Sequence, residues 1–219
     1  MTETTINESP TVSAKKMVDW VLECARVIDE NLELLNELDS TCGDADHGSN
    51  LRRGFTGVRT LLGSEPGDTP AAVLKKVGTT LVSQVGGSSG ALYGTFFLRM
   101  ALAAGQDREL DRAALGEALE AAARGITERG QVQVGDKTLY DSLAPAVEAY
   151  SNAQSEGRSL VDSLQLAAKA AEEGRDSTVN LTARKGRASY LGGRTVGHAD
   201  AGATSMALIL RAAAENLGP

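Results

Sequence analysis

Aromatic side chains make up only 4% of the 219 residues: four Tyr, three Phe and one Trp. Pleated sheets draw on aromatic and β-branched residues, so this scarcity, beside abundant Ala, Leu and Gly, argues against a β-sandwich and for close-packed helices. Cysteine is nearly absent. Cys24 and Cys42 form no CxxC or CxxxC pair, which argues against a zinc site or disulfide framework and fits a reduced, intracellular protein. Basic residues are outnumbered, 22 Lys and Arg against 29 Asp and Glu, for a net charge of −7. No nucleic-acid partner is expected of such a chain, because no basic excess replaces the counterions around phosphates. A phosphate ester would have to be met by cations. No apolar run approaches the length of a membrane span. Residues 1–13 are polar, without the apolar stretch of a signal peptide, and read as a disordered tail. The expectation is a soluble, cytoplasmic protein whose length suits one domain with its own core.

The remaining composition is organised helically. Met17, Trp20, Val21, Cys24, Val27 and Ile28 recur at steps of three and four, with Lys16, Asp19, Glu23, Arg26 and Glu30 on the opposite face. Cys24 therefore reads as a small core residue. Seven further helical stretches are bounded by Gly, Pro, Asp or Ser: roughly 47–62, 70–85, 88–104, 111–129, 138–154, 159–182 and 201–217. Nothing alternates with a period of two over any length. An all-α fold follows, and short connections favour antiparallel neighbours in an up-and-down bundle or closed helical barrel. The longest connection, 184–200, is glycine-rich and basic, and a loop of that length usually has a function.

The segment Asp39-Ser40-Thr41-Cys42-Gly43-Asp44-Ala45-Asp46-His47-Gly48-Ser49-Asn50 holds three carboxylates between two helical stretches. Brought together they repel one another unless a hard cation joins them, and all-oxygen ligation suits Mg²⁺ or Ca²⁺. An Asx turn or helix cap would also explain Asp44 and Asp46. An EF-hand is excluded, since Gly48 stands where a third oxygen ligand belongs and Phe55 where the bidentate Glu belongs. His47 directly follows the carboxylates at a helix start, which suits either a phosphate contact or a structural histidine. Gly86-Gly87-Ser88-Ser89-Gly90 offers backbone and hydroxyl donors at another helix start, or a tight turn with a Ser cap. Asp200 is placed to cap the last helix, and Arg184, Lys185 and Arg187 are either a solvated patch or partners for phosphate. Neither a Walker A motif nor a dinucleotide fingerprint is present, and Gly135-Asp136-Lys137-Thr138 lacks the upstream glycine.

Taken in order, Gly43 to Gly48, Val85-Gly86-Gly87-Ser88-Ser89-Gly90, Gly135 to Thr138, Lys185 to Gly192 and Gly197 to Thr204 resemble the L subunit of dihydroxyacetone kinases, from about residue 16 to the C-terminus. The resemblance implies a nucleotide-binding domain over 14–219, built as a barrel of eight antiparallel helices with the nucleotide at one end. It implies that Asp39, Asp44 and Asp46 hold two Mg²⁺ ions, and that His47, Gly48, Ser49, Asn50, Ser88 and Ser89 line the phosphates of ADP or ATP. Gly130, Leu139, Arg187, Asp200, Ala201 and Gly202 would complete the pocket, Arg187 being the catalytic residue that spreads transition-state charge. Some relatives carry Met in place of Leu139 and Pro in place of Ala201. The family transfers phosphate to a short ketose held covalently by a separate K subunit. In one branch, a phosphohistidine-bearing M subunit recharges bound ADP from phosphoenolpyruvate; Arg-Lys-Gly-Arg and the stand-alone length resemble that branch. In the other, ATP exchanges. A four-carbon ketose as substrate, a regulatory partnership with a transcription factor, a fatty-acid kinase domain and a homodimer stay open at this point.

Overall fold

The computed structural model describes residues 10–41 and 43–218. Among these residues nine α-helices run as α1 (Ala14–Glu30), α2 (Leu32–Ser40), α3 (His47–Ser64), α4 (Pro70–Gln84), α5 (Gly87–Ala104), α6 (Arg112–Gly130), α7 (Tyr140–Ser155), α8 (Leu160–Ser177) and α9 (Ala201–Asn216). The fold is all-α, as expected, with one helix more than the periodicity indicates. That extra helix is α2. It is nine residues long with Leu35 as its buried residue, too short for a face to repeat. Each of the eight longer helices packs on its neighbours, and α9 closes on α1, so α1 and α3 to α9 form a ring. The ring encloses one core. Trp20 at its centre lies 5.6 Å from Phe97 between ring centroids and donates its indole N–H to the Ile209 carbonyl at 3.0 Å, tying α1 to α9. Cys24 is fully buried, and enclosure pushes its thiol pKa up. Cys42 lies outside the described residues.

Three boundaries differ from the sequence reading. The tail expected over 1–13 does not take in Val12 and Ser13. Residues 1–9 lie outside the described residues, but Val12–Ser13 forms a two-residue strand, β1, paired antiparallel with β2 (Glu109–Leu110). Val12 and Leu110 are both fully buried, and Ser13 caps α1 by accepting the Lys16 N–H at 3.4 Å. Two residues cannot show alternation, hence no period-two signal. Helix α8 stops at Ser177 in a 3-10 turn, Thr178–Asn180, short of residue 182. The glycine-rich connection is itself wound: Arg187–Thr195 is 3-10, broken at Gly192 (φ 56°).

The caps reveal a polarity. Helices α1, α4, α6 and α8 start with Ser13, Thr69, Asp111 and Ser159, each accepting a first-turn N–H. Helices α3 and α5 start at the opposite end with no cap from the residue before them, the His47 and Ser49 N–H groups of α3 being accepted instead by the Asp39 and Asn36 side chains. Helix α9 is capped there by the residue before it, through Asp200 and the Ala203 N–H at 2.7 Å. Among the described residues no helix is long and apolar enough to cross a membrane.

Candidate functional site

At that opposite end the ring opens into a cavity of about 510 Å³. The starts of α3, α5 and α9, the end of α6 and the segment before α7 wall it in, and residues 185–188 overhang it. Thirteen of the fifteen residues singled out in the sequence line it: Asp39, Asp44, Asp46, His47, Asn50, Ser88, Ser89, Gly130, Leu139, Arg187, Asp200, Ala201 and Gly202. Gly48 and Ser49 do not. Gly48 is buried against α2, where a Cβ would meet the Leu32 carbonyl oxygen at 2.5 Å, and Ser49 exchanges hydrogen bonds with the Asn36 side chain at 3.1 and 3.0 Å. Their contribution is to dock α2 on α3, which sets the position of Asp39.

The three carboxylates converge. One oxygen from each of Asp39, Asp44 and Asp46 falls within 4.8 Å of the others. Asp39 is anchored because its Oδ2 accepts the Asp46 and His47 N–H groups at 2.9 and 3.3 Å. Gly43 is needed for that approach, since a Cβ there would lie 2.2 Å from Asp39 Oδ1. Ala45, in the left-handed region at φ 60°, makes the sharp bend between Asp44 and Asp46. The Arg187 guanidinium forms an ion pair with Asp44. Three acidic oxygens at this spacing, with hard donors only, fit a magnesium-type cation that would keep part of its water shell.

Facing them is the start of α5. Its first N–H groups have no intrahelical acceptor and no capping side chain, and the helix dipole adds to their pull on an anion. Arg53 fixes this corner by donating to the Gln84 carbonyl at 2.8 Å and to Asn50 Oδ1 at 2.7 Å. Behind it runs a buried chain of polar contacts. Ser89 Oγ lies 3.3 Å from His47 Nδ1, His47 Nε2 lies 2.8 Å from Ser205 Oγ, and Ser205 Oγ lies 2.6 Å from the Tyr93 hydroxyl. Burial lowers the His47 pKa against the opposing pull of Asp39 and Asp46, so the ring is held neutral and able to join this chain. Tyr93 and Ser205 carry no sequence signal; a tyrosine and a serine inside apolar helices look like ordinary core. On the far wall Leu92, Ile126, Val132 and Leu139 make an apolar surface. Asp200 is half-buried as a residue, but its carboxyl is enclosed, which pushes its pKa up to about 7 despite the Ala203 N–H and the charge of Lys137.

A carboxylate cluster spaced for a cation, a helix start free for an anion and an apolar wall in one cavity are the parts of a nucleotide site. The family profile of the DAK2 domain matches residues 41–215. The chain belongs to the DAK2 domain family. Over 200 residues this DAK2 chain is 39% identical to the Escherichia coli protein named PEP-dependent dihydroxyacetone kinase, ADP-binding subunit DhaL, covering 91% of this chain and 95% of that one. It is 40% identical to a Listeria innocua ADP-binding subunit of the same name over 88% and 91% of the two chains. Among solved structures it resembles the dihydroxyacetone kinase of C. freundii in complex with AMP-PNP and Mg²⁺, with a TM-score of 0.67 and 26% identity, over 98% of this chain and 36% of that one.

Proposed function

We propose that this chain is the nucleotide-binding subunit of a dihydroxyacetone kinase, holding ADP or ATP with Mg²⁺ and transferring a phosphoryl group to a short ketose carried by a separate K subunit. The observation that carries the reading is the triad of Asp39, Asp44 and Asp46 across one cavity from the uncapped start of α5. An acidic protein grips a polyphosphate by this means: two Mg²⁺ ions bound at the triad would supply the positive charge that its composition lacks. The chain's own groups do the rest. The α5 amides, Ser88, Ser89 and Asn50 receive phosphate oxygens, while Leu139, Gly130, Ala201 and Gly202 bound the remainder of the nucleotide. Arg187, with a side chain 66% exposed at the rim, is free to follow the transferred group and stabilise its charge. Positioning and electrostatics are what phosphoryl transfer asks of a protein.

The phosphoenolpyruvate-dependent branch, with an M subunit recharging bound ADP, is favoured because the E. coli and L. innocua subunits it matches nearly end to end are both named PEP-dependent and ADP-binding. Purified chain, combined with a K subunit and dihydroxyacetone, is tested with ATP alone and with phosphoenolpyruvate plus the M relay. Ketose phosphorylation that needs the relay, with ADP retained through gel filtration, supports the reading. Turnover with ATP alone moves the chain to the exchanging branch. No turnover under either condition, with nucleotide still bound, refutes the kinase assignment and leaves a nucleotide-loaded regulatory subunit.

A further inference from the structure

We propose that Lys137 is a positioning residue for Arg187, its buried ammonium stapling together the two stems of the segment that carries Arg187 over the cavity. This rests on the role given to Arg187 above. Lys137 sits just before α7 in a left-handed conformation (φ 62°), and is 3% exposed. Its Nζ donates to four backbone carbonyls: Thr178 at 2.8 Å, Leu181 at 3.2 Å, Thr195 at 2.6 Å and His198 at 2.7 Å. Thr178 and Leu181 belong to the stem that leaves α8, and Thr195 and His198 to the stem that returns to α9. One side chain therefore closes the base of the 182–194 excursion.

Two hydrogen bonds between the stems and one to the segment before α7 complete the base. The Gly197 N–H donates to the Val179 carbonyl at 2.8 Å, the Ala183 N–H to Thr195 Oγ1 at 2.9 Å and the Arg184 N–H to the Asp136 carbonyl at 3.0 Å. Beyond it Arg187 is bracketed by Gly186 (φ 66°) and Gly192 (φ 56°), two positions that turn readily. A glycine-bracketed tip on a charged, four-point base lets Arg187 turn between Asp44 and a phosphate without losing its register over the cavity. An ammonium has three N–H donors, and its full charge holds carbonyl dipoles in every direction, which a neutral side chain of similar length does not.

A residue that merely stabilises the fold would act independently of Arg187, whereas a positioning residue acts through it. The experiment is a double-mutant cycle on the full chain, reading the dissociation constant of Mg·ADP by calorimetry. Lys137→Met and Arg187→Ala are each expected to weaken binding roughly tenfold, and the double variant to be about as weak as either, not a hundredfold weaker. Lys137→Arg, which keeps the charge, is expected to recover most of the affinity. Trypsin should cleave Lys137→Met within 184–194 at least about ten times faster than the parent, with helical circular dichroism retained. If Arg187→Ala binds Mg·ADP as the parent does, Arg187 acts only in the transition state. The same cycle is then read on kcat of ketose phosphorylation with the K subunit, where a Lys137→Met loss that is absent or multiplies with that of Arg187→Ala overturns the proposal. If Arg187→Ala weakens binding and Lys137→Met either does not or multiplies with it, the positioning role is overturned. Should Lys137→Met not fold, Lys137→Gln takes its place in the cycle; failure of that variant to fold assigns Lys137 to the core and overturns the proposal as well.

Discussion

Replacing Asp46 with Asn should make the protein more stable and less able to respond to magnesium. The three carboxylates lie within 4.8 Å of one another. At that distance a pair of unit charges repels by about 0.9 kcal/mol in a water-like dielectric and about 3.5 kcal/mol at an effective constant of 20. Asp46 takes part in two of the three pairs. It makes no side-chain cap to α3, so the amide forfeits no capping hydrogen bond, while Asp39 keeps its two amides and Asp44 its arginine. Using the water-like value for this open site, Asp46→Asn relieves up to about 2 kcal/mol at low salt, or at most roughly 4–8 °C in melting temperature for a chain of this size. The parent should recover that deficit when cation is supplied: magnesium at ten times its dissociation constant contributes about 1.4 kcal/mol, and the variant should gain little. Thermal unfolding of both proteins at low ionic strength in chelator, then in magnesium with and without ADP, gives the six numbers required. An Asp46→Asn protein that melts no higher than the parent in chelator, or that keeps the full magnesium shift, refutes the triad as a cation site.

Two further outcomes follow from groups at the cavity wall. Enclosure raises the Asp200 carboxyl from its usual 3.8 to about 7, so the native state binds a proton more tightly than the unfolded chain does, and stability declines as pH rises between those values. Asp200→Asn retains a capping oxygen without the charge and should flatten that decline, by at most roughly 4 kcal/mol, in urea unfolding measured from pH 4 to 8. An unchanged slope would mean that the carboxylate is adequately solvated. Ser205→Ala removes the hydroxyl shared by His47 and Tyr93 and leaves buried polar atoms without it, at a cost of about 1–3 kcal/mol. Its melting temperature should fall by several degrees, and an unaltered value would show that the chain from Ser89 to Tyr93 contributes no stability.

Residue pattern alone determined much of this protein. Helix faces in the first and later stretches, the glycine and aspartate punctuation and the lack of alternation identified an all-α chain, because helical burial imposes a three-to-four step wherever a helix is long enough to repeat it. The carboxylate segment was legible too, since three acids between two helices conflict electrostatically unless something joins them. Tertiary structure decided the rest. Helix α2 and the β1–β2 pair are too short for periodicity to register. Gly48 and Ser49 sit beside the site in sequence but face α2, because consecutive residues on a helix point about 100° apart. Tyr93, Ser205 and Lys137 acquire their roles from atoms 40 to 160 positions away, such as the Thr178 and His198 carbonyls and the His47 ring. Local chemistry fixed which polar and charged groups this chain carries; only closing the helices into a ring brought them to face one another, since the carboxylates, the start of α5, Arg187 and the start of α9 lie on segments far apart in the chain.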